Sequence, residues 1–325
     1  MRAIVQARYG SADVLHLAEI GRPATGDGEV LIRVAAAGLD RGTWHQMAGQ
    51  PYLIRVVSGL RAPRNPVPGL DVAGTVAAVG ADVTRFAVGE EVFGIGHGSF
   101  AEYACARPDK LARKPAGLTF AQAAAVAVSG LTALQGLRDA GRLRPGQHVL
   151  IIGASGGVGT YAVQIAKALG ARVTGVCSTA KAGLISSIGA DHILDYTRDD
   201  FAAGPQRYDL ILDIGGNAAL SRLRRALTAA GTLVIVGGED GGRWTGMSRQ
   251  LRALALSPFT RQRLTTFISR HRLADLETLA QLIDAGQLTP VISKTYPLRQ
   301  APDAMRDLLA GHARGKLAIT VTGAG

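Results

Sequence analysis

The residues Ile151-Ile152-Gly153-Ala154-Ser155-Gly156-Gly157-Val158-Gly159 stand directly after an apolar run, His148–Ile152, and directly before a helical pattern, Val158–Leu169. A strand, a glycine turn and a helix in that order form the fingerprint that cradles a dinucleotide pyrophosphate. Glycines let the backbone turn tightly and let a phosphate approach the amides. The helix start adds unpaired N–H groups and a positive dipole end. Ser155, Gly156, Gly157 and Val158 are the candidate phosphate contacts. A glycine run alone is commonly just a turn; the flanking strand and helix argue against that here. A mononucleotide or a flavin uses the same architecture.

The end of the next strand bears on which dinucleotide is held. It reads Val176-Cys177-Ser178-Thr179-Ala180-Lys181, with no carboxylate where an NAD site accepts from the ribose 2′-hydroxyl. Two hydroxyls and an ammonium bind a 2′-phosphate through charge-assisted hydrogen bonds, whereas a carboxylate repels it. Ser178, Thr179 and Lys181 therefore predict NADPH. The plainer reading is that Ser178 and Thr179 only cap the helix beginning near Ala180.

These loops need a particular order of elements behind them. From Thr119 to Leu288, predicted strands (His148–Ile152, Arg172–Val176, His192–Leu194, Asp209–Asp213, Thr232–Val236) alternate with helices (Val158–Leu169, Ala180–Ile188, Ala218–Leu227). That is the cadence of a doubly wound parallel sheet. Before Leu118, short strands such as Glu29–Val34, Val72–Gly80 and Glu91–Phe93 follow one another without long helices, as in a mostly antiparallel, barrel-like unit. Strand Val291–Tyr296, helix Ala301–Ala310 and strand Lys316–Val321 return to that unit. The expected chain is α/β, with residues 1–118 and 289–325 in one domain and residues 119–288 inserted as the nucleotide domain. Pro51–Pro68, with four prolines, reads as a loop or short helices and a candidate lid.

Composition sets the bounds. A chain of 325 residues exceeds what one core usually organises, and 47% hydrophobic with 19% charged residues describes a compact protein. The two cysteines, Cys105 and Cys177, follow no metal or redox spacing, which points to a reducing compartment. With no leader-like start and no apolar run of membrane-span length, the cytoplasm is the expected location. The net charge of +11 comes from scattered arginines, with one richer stretch, Arg243–Arg272, that includes Arg249, Arg252, Arg261, Arg263 and Arg270. It reads as a solvated surface that attracts an anionic cofactor; nucleic acid or an anionic membrane is the alternative.

Further segments extend the pattern: Pro68-Gly69-Leu70-Asp71-Val72-Ala73-Gly74, Gly98-Ser99-Phe100-Ala101-Glu102-Tyr103, the run from Gly153 to Gly170, Gly189-Ala190-Asp191-His192, and Gly311 to Lys316. On these the chain resembles, nearly end to end, the medium-chain dehydrogenase/reductase superfamily, specifically its zinc-free quinone oxidoreductase-like branch. The resemblance implies a GroES-like, mainly β catalytic domain and a Rossmann domain with a cleft between them. It also implies hydride transfer from the nicotinamide and a homodimer formed through the nucleotide domains. Asp40, Trp44 and Tyr52 lie in loops that face the cleft in relatives and become the catalytic candidates. Asp40 reads as a water or proton relay or as a turn residue, and the two aromatics as wall or core. Thr132, Gly237 and Gly238 match positions beside the nicotinamide and its ribose, and Tyr196 and Lys316 are candidates for the 2′-phosphate and the cofactor edge.

The departures matter as much. Zinc-bearing relatives place a cysteine where this chain has Asp40 and a His-Glu pair where it has Leu70-Asp71. Asp40, Asp71 and His45 can be imagined as a site, but no His or Cys occupies the expected places, so no metal is expected. Without a Lewis acid, a quinone or an α,β-unsaturated carbonyl is a better hydride acceptor than a simple ketone, because charge delocalises onto oxygen. The expected partner is such a small molecule, with no nucleic acid and no membrane span. The alternatives are a zinc-free NADP-dependent alcohol or carbonyl dehydrogenase, and a nucleotide-bound binding protein of low turnover.

Overall fold

The structure is a computed structural model that describes residues 1–237 and 247–321. Gly238 and Arg243 lie outside the described residues. Along the chain, strands β1 (Arg2–Val5) and β2 (His16–Glu19) form an antiparallel pair. They are followed by β3 (Val30–Leu39), β4 (Asp71–Val79), β5 (Glu91–Ile95), β6 (Tyr103–Ala106) and β7 (Leu111–Arg113). Next come β8 (His148–Ile152), β9 (Arg172–Cys177), β10 (His192–Asp195), β11 (Tyr208–Asp213), β12 (Leu227–Ile235) and β13 (Arg263–Thr266). The last are β14 (Ile292–Pro297) and β15 (Lys316–Thr320). The helices are α1 (Arg41–Ala48), α2 (Arg55–Ser58), α3 (Phe120–Ala124), α4 (Ala127–Gln135) and α5 (Gly157–Ala168). After them come α6 (Ala182–Ser187), α7 (Leu220–Ala226), α8 (Ser248–Leu256), α9 (Leu273–Asp284) and α10 (Ala301–Ala310).

Two compact units result: Met1–Leu131 with His271–Gly286 and Pro290–Gly325, and Thr132–Arg270 with Gln287–Thr289. In the first, the sheet runs β14-β15-β3-β4-β5-β7, with β6 also on β3. Its pairings are antiparallel except for the parallel β14–β15 pair, as the short strands and tight turns predict. Its core gathers Ile32, Val34, Met47, Val72, Phe100 and Ile319. In the second unit β10-β9-β8-β11-β12-β13 is parallel throughout, and the fully buried Val149, Leu150 and Ile151 explain why β8 reads as an unbroken apolar run.

The first unit reaches beyond residue 118. Thr119 caps α3 with a capping box closed by Gln122, and the small residues Ala123 and Ala124 let that helix lie on β3 and β4. A Cβ at Gly38 would stand 2.3 Å from the Ala124 carbonyl oxygen, so strand and helix backbones meet with no side chain between. Alanine-rich α3 reads like a nucleotide-domain helix only because periodicity cannot say which sheet it covers. Helix α8 and the edge strand β13 fall within the arginine-rich stretch, and neither they nor α9 are among the elements expected from the sequence.

Candidate active site

In the second unit, β8 delivers the chain to Gly153, whose φ of +85° lies in the left-handed region. Ser155, Gly156, Gly157 and Val158 then form the turn and the start of α5. Gly156 is the N-cap and no side chain caps this helix, so the amides at its start face only what the loop encloses. A Cβ on Gly159 would come within 2.1 Å of the Gly153 carbonyl oxygen, which is how closely helix and loop are packed. This cradle fits a pyrophosphate, with helix-start amides and a dipole end to hold it.

At the end of β9, Ser178 leads into a 3-10 turn, Thr179–Lys181, and its hydroxyl makes no capping bond. Capping therefore does not account for it. The Tyr196 amide donates to the Cys177 carbonyl at 3.1 Å, so adjacent β9 and β10 bring Ser178, Thr179, Lys181 and the exposed Tyr196 to one sheet edge. They also bring Asp195, which the sequence pattern does not single out. Hydrogen bonds from the Thr179 hydroxyl and from Thr197 hold its carboxyl below the usual carboxylate range. Thr179 is thus engaged with a carboxylate, not aimed at open space.

Gly237 follows β12 and lies beside Ile214, and Thr132 sits half-buried on α4. At the carboxyl end of β11, fully buried Asp213 accepts from the Gly216 amide at 3.1 Å and is paired with Arg249 of α8, which also donates to the Gly216 carbonyl. Arg249 therefore departs from the expected solvated arginine surface. Burial sets its role: an uncompensated Asp213 inside the sheet edge would be strongly unfavourable. Arg263 likewise donates to the Ala140 carbonyl, while Arg252, Arg261 and Arg270 are exposed.

In the first unit, three strand ends meet. Asp40 directly follows β3, and Asp71 and Lys316 open the two strands that flank it, β4 and β15. Asp40 is 6% exposed and caps α1, its Oδ1 accepting from the Thr43 amide at 2.8 Å; its Oδ2 is buried without a hydrogen-bond partner. Asp71 is fully buried, and its Oδ1 accepts from the Val128 amide of α4 at 2.7 Å. Its Oδ2 receives the Lys316 ammonium at 3.3 Å. Desolvation lifts the Asp71 carboxyl to about 7, the Asp40 charge adding to it and Lys316 opposing it. The Lys316 ammonium thus stands on Asp71, the Asp40 charge acts on the same carboxyl, and both carboxylates accept from an amide in the first turn of a helix.

This overturns the expectation for Lys316. It is 2% exposed with its ammonium on Asp71 inside the first unit, whereas a phosphate-binding lysine must reach its ligand, so it leaves the cofactor set. The sequence carried no signal for the pairing, because the partners are far apart in the chain and only the strand register joins them.

The other catalytic candidates are placed as follows. Trp44, half-buried on α1, has its ring 4.7 Å from that of His45, whose Nδ1 bonds the Gln50 carbonyl oxygen at 2.6 Å. Tyr52 starts a 3-10 turn, with the Arg55 guanidinium 4.7 Å from its ring. His271, passed over in the sequence, is pushed below the usual histidine range by burial and by Lys110, with the Asp40 charge acting the other way. Among the described residues no group of three His, Cys, Asp or Glu is gathered that could hold a metal ion.

Comparison with known proteins agrees with this architecture. Residues 26–116 match the alcohol dehydrogenase GroES-like domain, and residues 188–319 the zinc-binding dehydrogenase family. The chloroplast envelope quinone oxidoreductase homolog of Arabidopsis thaliana is 30% identical over 98% of this chain and 98% of its own. The chain belongs to the medium-chain dehydrogenase/reductase superfamily, in its quinone oxidoreductase-like branch. The 2-methylene-furan-3-one reductase of Solanum lycopersicum is also 30% identical, over 98% of this chain and 79% of its own. The Escherichia coli quinone oxidoreductase solved with NADPH superposes with a TM-score of 0.84 at 25% identity, covering 99% of this chain and 100% of the other. As a member of this branch the protein is an NAD(P)H oxidoreductase. Among the described residues, no helix is long and apolar enough to cross a membrane.

Proposed function

We propose that the protein is a zinc-independent, NADPH-dependent reductase of quinones or α,β-unsaturated carbonyls. The observation that carries this reading is the strand-end cluster of Asp40, Asp71 and Lys316. Where zinc-bearing relatives gather metal ligands, this chain commits a buried ammonium to a buried carboxylate, and a divalent cation cannot share that space without heavy electrostatic cost. A bound reduced nicotinamide supplies the hydride, which a quinone or enone accepts at carbon while its oxygen takes the charge. The chain's own groups then have to orient the acceptor and let a proton reach that oxygen. Asp40, with one unpartnered oxygen, is the candidate to hold a water for this, and Trp44 and Tyr52 are candidate walls. The cofactor set is Thr132, Ser155, Gly156, Gly157, Val158, Ser178, Thr179, Lys181, Tyr196 and Gly237. A homodimer formed through the nucleotide units and a cytoplasmic location belong to the same reading.

Purified protein given NADPH should reduce 9,10-phenanthrenequinone and a simple enone faster than an aldehyde, with or without a chelator present. Preference for the aldehyde would favour a carbonyl dehydrogenase. No oxidation of NADPH by any electrophile would sink the assignment.

Cofactor choice has its own test. Replacing Ser178 and Lys181 together by alanine should weaken NADPH binding by roughly tenfold or more, the equivalent of one charge-assisted contact, with NADH nearly unaffected. Calorimetric titration with both cofactors decides it, and equal losses would discard the 2′-phosphate site.

A further inference from the structure

Residues 41–70 contain four arginines and no Asp or Glu. Within that stretch the chain folds a short spur, made of the 3-10 turn Tyr52–Ile54 and helix α2, and reverses at Gly59. Gly59 has φ +125°, and a Cβ there would stand 2.1 Å from the Ala62 carbonyl oxygen, so the reversal is tight. The base of the spur is fastened by polar contacts. Tyr9 Oη donates to the Gly59 carbonyl at 2.6 Å, Arg55 Nε to the Gly49 carbonyl at 2.9 Å, and the Arg64 amide to the Ser58 carbonyl at 2.8 Å. With its hydrogen bonds turned inward, the spur turns four large aliphatic side chains outward: Leu53, Val56, Val57 and Leu60 are 55%, 60%, 76% and 72% exposed. Arg61 and Arg64 flank them, both exposed, and neither enters an ion pair among the described residues.

Four neighbouring aliphatics in water are unfavourable unless something covers them, and the charge around them says what. A basic rim with an apolar tip matches an anionic bilayer: guanidinium groups meet lipid phosphates while aliphatic chains enter the acyl boundary. Nucleic acid would satisfy the arginines but has no use for aliphatic side chains, since bases are held by aromatic stacking. We propose that the Leu53–Arg64 spur docks the protein reversibly on anionic membrane surfaces. Tyr52, a candidate wall of the proposed active site, opens the spur, so the test reads vesicle binding and not turnover.

The test is sedimentation of the full chain with phosphatidylcholine vesicles, with and without about one-third phosphatidylglycerol. The expected result is co-sedimentation with the anionic vesicles only, suppressed by salt. Arg61→Gln with Arg64→Gln should lower the partition coefficient about 25-fold, from roughly fivefold per arginine. Val57→Asp with Leu60→Asp should lower it at least about tenfold. Thermal melts that overlay the wild type would show that these surface variants still fold. Wild-type protein left in the supernatant overturns the proposal, as does equal binding by wild type and both variants. Self-association abolished by Leu60→Asp, or retention by a single-stranded oligonucleotide without vesicle binding, would assign the spur to another partner and overturn it too.

Discussion

Replacing Lys316 by methionine is expected to destabilise the first unit by about 3–5 kcal/mol at alkaline pH and by much less in mild acid. Asp71 has no exposed surface and sits near Asp40, so Lys316 is the cation that makes its ionisation tolerable. Without that ammonium, Asp71 must either hold a buried uncompensated charge or take up a proton, and acid supplies the proton. The wild type should show a weaker form of the same dependence. Because the folded-state value of Asp71 is raised from 3.8 to about 7, its stability contribution is full below the unfolded value and is lost as pH rises through about 7. Urea unfolding at pH 5.5 and 8.5 measures both. Pairing Lys316→Met with Asp71→Asn removes both charges and keeps an amide oxygen for the Val128 amide, so it should recover much of the loss at high pH. A loss in the single variant that is the same at both pH values would show that Lys316 contributes packing and not charge.

Gly159→Ala is expected to weaken NADPH binding by at least about tenfold and to cost roughly 1–3 kcal/mol of stability. The added carbon would stand 2.1 Å from the Gly153 carbonyl oxygen, and backbone cannot rotate aside as a side chain can. Either α5 moves away from β8 or the loop opens, and both displace the amides that define the cradle. Fluorescence titration with NADPH and a thermal melt measure the two effects. Wild-type affinity in the variant would mean that the close approach of loop and helix is not what shapes the phosphate site.

Much of this was legible in the sequence because it is local. The loop at Gly153 and the strand before it are read from residues that touch in sequence, and β8 and α10 fall where the pattern puts them. What escaped depends on distance. Lys316 is a cofactor-edge candidate through the resemblance, and nothing local in the sequence marks its partner; Asp71 is brought to it by the register of β15, β3 and β4. Arg249 looked like one more surface charge, and only burial of Asp213 makes it an internal counter-ion. The first compact unit also takes in α3, beyond the expected boundary at residue 118, and small residues in α3 permit contact with either sheet.

The pairing of β3 with β15 also bears on how the chain is made. The second unit is almost contiguous, whereas the first awaits a strand synthesised some two hundred and eighty residues after its partner, counting from Val30–Leu39 to Lys316–Thr320. On the ribosome the nucleotide unit can therefore close while residues 36–39 of the β3 edge are still bare, an open stretch of strand of the kind that invites wrong partners. Vectorial synthesis thus makes the mostly antiparallel unit, and not the dinucleotide fold, the half that depends on protection until translation is nearly finished.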